Sequence, residues 1–243
     1  MRLLITNIGI LAGIDNHRKL RLSGKEMSQF ETLADAWLLV EDGCFSKWGC
    51  MAAMPAEGIS ADQTVDAQGG CVMPSWCDPH THIVYAGSRE GEFVDKIRGL
   101  SYAEIAKRGG GILNSADLLH TFSEDELYRE AMHRAEEIMR KGTGCVEIKS
   151  GYGLTTEDEL KMLRVIRRIK ESTPLRIKST FLGAHAVGRG YTQADYVDLV
   201  VNEMIPEVGR EKLADFVDVF CDEGFFTPAE TERILEAAAK WGM

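Results

Sequence analysis

The chain has 243 residues, 44% of them hydrophobic and 27% charged, which is the composition of an ordinary folded protein with room for one large domain or a domain with an appendage. A formal net charge of -10 and a pI near 5.2 argue against nucleic acid or an anionic membrane as partner, since both demand clustered Lys and Arg. No apolar run approaches a membrane span, the opening "MRLLITNIGILAGIDNHRK" lacks a small-residue cleavage site, and six cysteines with no C-x-x-C pair fit small buried hydrophobes in a reducing cytoplasm.

Residues 1–70 are strand-and-turn material: "RLLITNIGIL" and "DAWLLVEDGCFSKWG" are short apolar runs, with "EDG" at Glu41 to Gly43 reading as a hairpin turn. From Cys71 the texture alternates between strand and helix. "CVMPSWCDPHTHIVYA" is an apolar run and "SYAEIAKRG" a short helix. Ser123 and Glu126 form a capping box for a helix closed by Gly142, and "GCVEIKSGYG" is a strand. Thr156 and Glu159 cap the next helix, whose Leu160, Leu163, Ile166 and Ile169 share a face. "LRIKSTFLGAH" is a strand, "TQADYVDLVVNEMI" a helix and "FVDVFCDEGFF" a strand; Thr227, Pro228 and Glu230 then open a last helix as N-cap, N1 and N3.

Four βα units in succession predict an α/β fold with a parallel sheet covered by helices, either doubly wound or closed as a (β/α)8 barrel. His80/His82, Tyr152, His185 and Asp222/Glu223 each fall near the C-terminal end of a different predicted strand, the end at which such sheets gather their chemistry. No G-x-G-x-x-G or G-x-x-x-x-G-K-[ST] opens a helix, which lowers a nucleotide-binding reading. In "DPHTH", His80 and His82 stand two apart in a strand-like run, so their imidazoles share a face and suit two ligands of one metal ion.

The surroundings of these histidines carry a resemblance. "VDAQGGCVMPSWCDPHTH" resembles the opening segment of the metal-dependent amidohydrolase superfamily through Asp66, Ala67, Gly69, Val72, Pro74, Asp78, His80 and His82, with Ser75 where Gly is usual. "DPHTHIVYAGSREGEF", "GGGIL", "VEIKSGYGL", "ELKMLRV", "TFLGAHAV" and "ADFVDVFCDEGFF" narrow it to similarity with the imidazolonepropionase family over nearly the whole chain. The resemblance implies a (β/α)8-type amidohydrolase barrel, here its first four βα units over residues 71–243, preceded by the N-terminal part of a β-sandwich domain over residues 1–70.

It also implies an activity: hydrolysis of the ring amide of 4-imidazolone-5-propanoate to N-formimidoyl-L-glutamate by water activated on one zinc or iron ion, in a cytoplasmic homodimer. Of the family's residues, His80 and His82 match the first two metal ligands. Arg89 matches a carboxylate-binding arginine, Tyr152 a substrate-contacting tyrosine, and His185 a histidine able to donate to the ring carbonyl or developing oxyanion; Tyr102 is a weaker substrate-side match. Lys149 reads as structural or as part of a substrate-side polar network. The family's third histidine ligand, its acid/base glutamate and an aspartate ligand lie on later strands and have no counterpart before Met243, so the expectation is the front part of a longer protein. Two other readings stand beside this one, another amidohydrolase (a deaminase or cyclic amidase) and an inactive truncated fragment.

Overall fold

The computed structural model describes all residues except 17, 18, 20, 102, 103 and 105–109. The expected short helix "SYAEIAKRG" and Tyr102 fall largely or wholly outside the described residues. Two compact units are present, Met1–Pro74 and Ser75–Met243.

In the first unit, strands β1 (Arg2–Ala12), β2 (Thr32–Glu41), β3 (Cys44–Cys50), β4 (Gln63–Asp66) and β5 (Cys71–Val72) make one five-stranded sheet. β1 lies between β2, antiparallel to it, and β4 and β5, both parallel to it. β2 and β3 are joined by Asp42 and Gly43, both at positive φ (49° and 79°), the signature of a tight two-residue hairpin turn. Ile8, Leu11, Ala36 and Leu38 are buried in one cluster, and Leu4, Trp37 and Leu39 in another. The Trp37 indole N–H finds the Cys50 carbonyl at 3.1 Å, so its ring is buried without an orphaned donor.

The run from Cys71 to Ala86 is not one strand, as its hydrophobicity suggested. Pro74 interrupts it; Cys71 and Val72 join the first sheet, while Trp76–Thr81 forms β6 in the second unit. Nor are the cysteines uniformly buried: all six thiols are free and five are exposed, Cys44 and Cys50 because they sit on the outermost strand β3.

The second unit is a parallel sheet in the order β6–β7–β8–β9, with β7 at Thr143–Lys149, β8 at Arg176–Ala184 and β9 at Phe216–Val219. Helices α1 (Glu90–Ile97), α2 (Ile112–Thr121), α3 (Glu124–Arg140), α4 (Thr156–Ser172), α5 (Gln193–Leu199), α6 (Ile205–Glu211) and α7 (Pro228–Ala239) are interleaved with these strands. Val146 and Ile148 of β7 and Ile177 and Phe181 of β8 pack with Leu127, Ala131 and Ala135 of α3 and Leu163 and Ile166 of α4 in one buried cluster. The alternate residues Glu147, Lys149 and Thr180 take the other face of the strands. This is the half-barrel arrangement expected of the first four units of a (β/α)8 barrel.

Local signals explain most helix starts. The Ser123/Glu126 and Thr227/Glu230 capping boxes are both formed, and Pro228 occupies the first helical position. α4 departs from expectation. Its N-cap is Thr155, whose hydroxyl accepts from the Asp158 amide, and Glu159 turns away from the cap into the protein. The helix from Gln193 also runs past its expected end, because a π-helical turn at Val200–Met204 widens the backbone ahead of Pro206 and lets the chain continue helically to Glu211. α1 and α2 were not anticipated; neither has a side-chain cap, and α2 starts from Gly111 at φ 85°.

Asp158 is nearly inaccessible and bonded to Lys161 at 2.7 Å, His120 Nδ1 at 2.8 Å and the Thr155 hydroxyl at 3.0 Å. Burial pushes its carboxyl up, but Lys161, His120 and Thr155 together bring it below the usual range. A depressed carboxylate contributes stability above its unfolded pKa of about 3.9 that is lost as pH falls through the folded value. Asp158→Asn is therefore expected to lower stability by about 1–3 kcal/mol at pH 7. The difference from wild type should shrink in melts taken below about pH 4; a gap that stays constant down to acid unfolding would contradict this.

Candidate active site

The C-terminal ends of the parallel strands deliver the candidate residues. β6 leads into His80 and His82, β7 into the loop Ser150–Leu154 carrying Tyr152, β8 into His185, and β9 into Phe220. The rings converge. His80 and His82 are 5.7 Å apart between centroids, His82 and Tyr152 5.1 Å, Tyr152 and His185 5.3 Å, and His185 and Phe220 5.9 Å. His82 stacks on His185 at 5.3 Å with only 11° between planes.

The segment after His82 is fixed by Arg134 of α3, whose guanidinium donates to the Ile83 and Tyr85 carbonyls at 3.0 Å each and lies 3.5 Å from the Tyr85 ring centroid. A cleft of about 230 Å³ opens beside it, lined by His82, Tyr85, Arg89, Ser115 and Tyr152 among others. Arg89 sits at its edge, 5.9 Å from the Tyr152 ring centroid and 3.8 Å from the Glu92 carboxylate. Five of the six residues matched to metal-ligand or substrate positions thus lie at one strand-end site; Tyr102 lies outside the described residues.

Both central imidazoles are held neutral. Burial, helped by His185, His80 and Lys149, pushes His82 down to about 4, and burial likewise lowers His185 against the pull of its Gly151 hydrogen bond. His185 Nδ1 lies 2.8 Å from the Gly151 carbonyl oxygen. A carbonyl can only accept, so Nδ1 carries the proton and Nε2 presents a lone pair. The resemblance implied His185 as a donor to the substrate; in this tautomer its free Nε2 is an acceptor.

His82 Nδ1 is a buried ring nitrogen with no hydrogen-bond partner, and His80 stands beside it. A neutral imidazole with an unused nitrogen is the donor type that zinc and iron take. Among the described residues no group of three or more His, Cys, Asp or Glu is arranged to hold a metal ion by itself, so these two fit a metal ion in kind while supplying only part of a ligand set.

The sequence placed Lys149 in a structural or substrate-side polar network, and such a network lies behind this ring cluster, with partners that the sequence did not name. Lys149, 5% exposed, bonds Glu147 at 2.9 Å and Asp218 at 3.0 Å, while the Thr180 hydroxyl also bonds Glu147. Burial lowers the Lys149 pKa, but the two carboxylates more than offset it and keep the ammonium charged. The signal was present as Glu147 and Lys149 at strand spacing, although their partner Asp218 lies 69 residues beyond Lys149.

No family model matches the chain. Curated relatives do: it is 52% identical over 245 residues to the imidazolonepropionase of Christiangramia forsetii and 53% identical over 246 residues to that of Flavobacterium psychrophilum, in both cases covering 100% of this chain and 59% of the relative. The imidazolonepropionase of Brevibacillus brevis is 42% identical over 225 residues, 90% of this chain and 53% of the relative. The chain therefore spans less than two thirds of the length of these relatives.

Among solved structures, a triazine hydrolase from Arthrobacter aurescens superposes with a TM-score of 0.65 at 15% identity over 99% of this chain and 51% of that one. The guanine deaminase of E. coli gives 0.58 at 11% identity over 99% and 49%. At such identities the likeness speaks for the fold alone. Sequence identity at about half of all positions, sustained over the whole of this chain, speaks for more: the chain is similar along its full length to just over half the length of these imidazolonepropionases.

Proposed function

We propose that this chain serves the hydrolysis of the ring amide of 4-imidazolone-5-propanoate to N-formimidoyl-L-glutamate, as part of a metal-dependent hydrolase. The observation that supports this most directly is the convergence of His80, His82, Tyr152 and His185 at the strand ends, with the Arg89 guanidinium at the edge of the same cleft. His80 and His82 would hold a zinc or iron ion, which when bound supplies the Lewis acidity that makes hydroxide available near neutral pH.

The remaining chemistry belongs to the side chains. Arg89 receives the propanoate carboxylate, for which its planar, permanently charged fork is suited. Tyr152 and His185, their ring planes 53° apart, form an angled aromatic wall against which one face of a planar imidazolone ring can lie. His185 Nε2, unprotonated, accepts a ring N–H and so selects the orientation of the ring. The same reading extends to a homodimeric cytoplasmic enzyme, for which six free thiols are at home in a reducing compartment. Among the described residues, no helix is long and apolar enough to cross a membrane.

The test is turnover by metal-replete enzyme of full family length against imidazolone propanoate, hydantoins and aminopyrimidines. Hydrolysis of the first supports the proposal; turnover of either of the others with none of the first overturns it in favour of another amidohydrolase activity. Within an active enzyme, Arg89→Ala is expected to raise KM about 10- to 100-fold, the value of a charge-assisted hydrogen bond pair, with a smaller change in kcat. An unchanged KM would show that Arg89 does not hold the carboxylate.

A further inference from the structure

Glu159 stands in the first turn of α4, yet it is completely buried and its carboxylate faces backwards, away from the helix it begins. It accepts three backbone N–H groups of the preceding loop: Gly151 at 3.0 Å, Gly153 at 2.7 Å and Leu154 at 3.0 Å. Ser150 adds a side-chain hydrogen bond to it, and the Ser150 hydroxyl in turn accepts from the Leu182 amide of β8 at 3.0 Å. Tyr152 is thus flanked on both sides by amides tied to one carboxylate.

The loop held in this way is not one the backbone would choose unaided. Gly151 is at φ 108° and Leu154, a residue with a Cβ, at φ 55°. Space behind it is closed as well: a Cβ at Gly153 would lie 2.6 Å from the Asp158 carbonyl carbon. While the amides turn inward to Glu159, the Gly151 carbonyl turns outward to His185 Nδ1 at 2.8 Å. The carboxylate therefore sets two things through a single peptide segment, the place of Tyr152 and the tautomer and tilt of His185.

We propose that Glu159 is a positioning residue of the substrate cleft: by gathering the amides of Gly151, Gly153 and Leu154 it holds Tyr152 and His185 as one rigid aromatic wall for a planar heterocyclic ring. This deepens the function proposed above and rests on it for the identity of the ring. Glu159 does not touch the substrate; it acts through the loop. Its effect should fall on ring recognition and orientation, where a displacement of the order of 1 Å lowers rates by about 10²-fold.

The experiment compares wild type with Glu159→Gln, which keeps the side-chain volume but turns one of the two accepting oxygens into a donor. Amide hydrogen exchange at Gly151, Gly153 and Leu154 is expected to rise about tenfold or more, the cost of leaving a buried amide without its acceptor. In the metal-replete enzyme of full family length, kcat/KM for imidazolone propanoate should fall about 10- to 100-fold with metal content unchanged. A Tyr152→Ala background should absorb much of the further loss from Glu159→Gln, because both act through one wall.

Gly153→Ala, which leaves the carboxylate intact but forces the loop off the helix start, should reproduce the kinetic defect if Glu159→Gln does not fold. Faster exchange at the three amides with wild-type kcat/KM would overturn the positioning role, as would full additivity with Tyr152→Ala. Unchanged exchange would overturn the clamp itself. Wild-type protein that fails to hydrolyse imidazolone propanoate would sink the proposed function instead, leaving the clamp to be judged by exchange alone.

Discussion

His82→Ala is expected to lower kcat/KM of the metal-replete enzyme of full family length on the order of 10²- to 10³-fold, the scale on which removal of one preorganised electrostatic group is felt. The substitution removes more than one contact. It takes away a buried neutral nitrogen with no protein partner, the ring 5.7 Å from His80, and the stacking surface for His185 at 5.3 Å. Metal content should fall with activity, because His80 and His82 are the two neighbouring imidazoles proposed to hold the ion and one of them is gone. Wild-type turnover in a His82→Ala enzyme that still holds its metal would refute the assignment.

The largest effect on stability is expected at Phe181. Its ring is fully buried in the main core between β8 and the helices, close enough to Gly183 that a Cβ there would collide with its tip. Phe181→Ala leaves a cavity in a cluster that includes Ile148, Ile166 and Ile177, and is expected to lower the stability of the Ser75–Met243 unit by about 3–5 kcal/mol. That is a large share of the roughly 5–15 kcal/mol by which a domain is stable. It corresponds to a midpoint lowered by roughly 6–20 °C for a unit of this size. A loss below about 1 kcal/mol in denaturant titration, with the slope unchanged, would mean that the ring is not packed as described.

Legibility followed the range of the interaction. The capping boxes at Ser123/Glu126 and Thr227/Glu230 are closed within three residues and could be read directly. The His80/His82 pair was visible because strand geometry puts alternate residues on one face. At α4 the Thr156/Glu159 cap expected from the sequence gives way to Thr155 one residue earlier, because the loop at Gly151–Leu154 takes the Glu159 carboxylate.

Other features were hidden for similar reasons. α1 begins at an uncapped Arg89 and α2 at Gly111, so neither carries a start signal. The continuation through Pro206 depends on a π turn that no local propensity announces. The His185 tautomer is set by a carbonyl 34 residues away, and the Lys149–Asp218 pair is 69 residues apart. Ring-bearing positions of the site were legible, while the groups that fix their orientation were not.

The agreement between strand order and chain order in the Ser75–Met243 sheet has a consequence for biosynthesis. Each of β7, β8 and β9, on leaving the ribosome, meets a neighbour that has already emerged, with one helix-containing crossover to close. β1, by contrast, waits from Arg2–Ala12 until Gln63–Asp66 before its parallel partner exists. The nascent chain should therefore gain protease resistance stepwise across the second unit, one βα pair at a time, and in the first only after the β4 and β5 segments have cleared the exit tunnel.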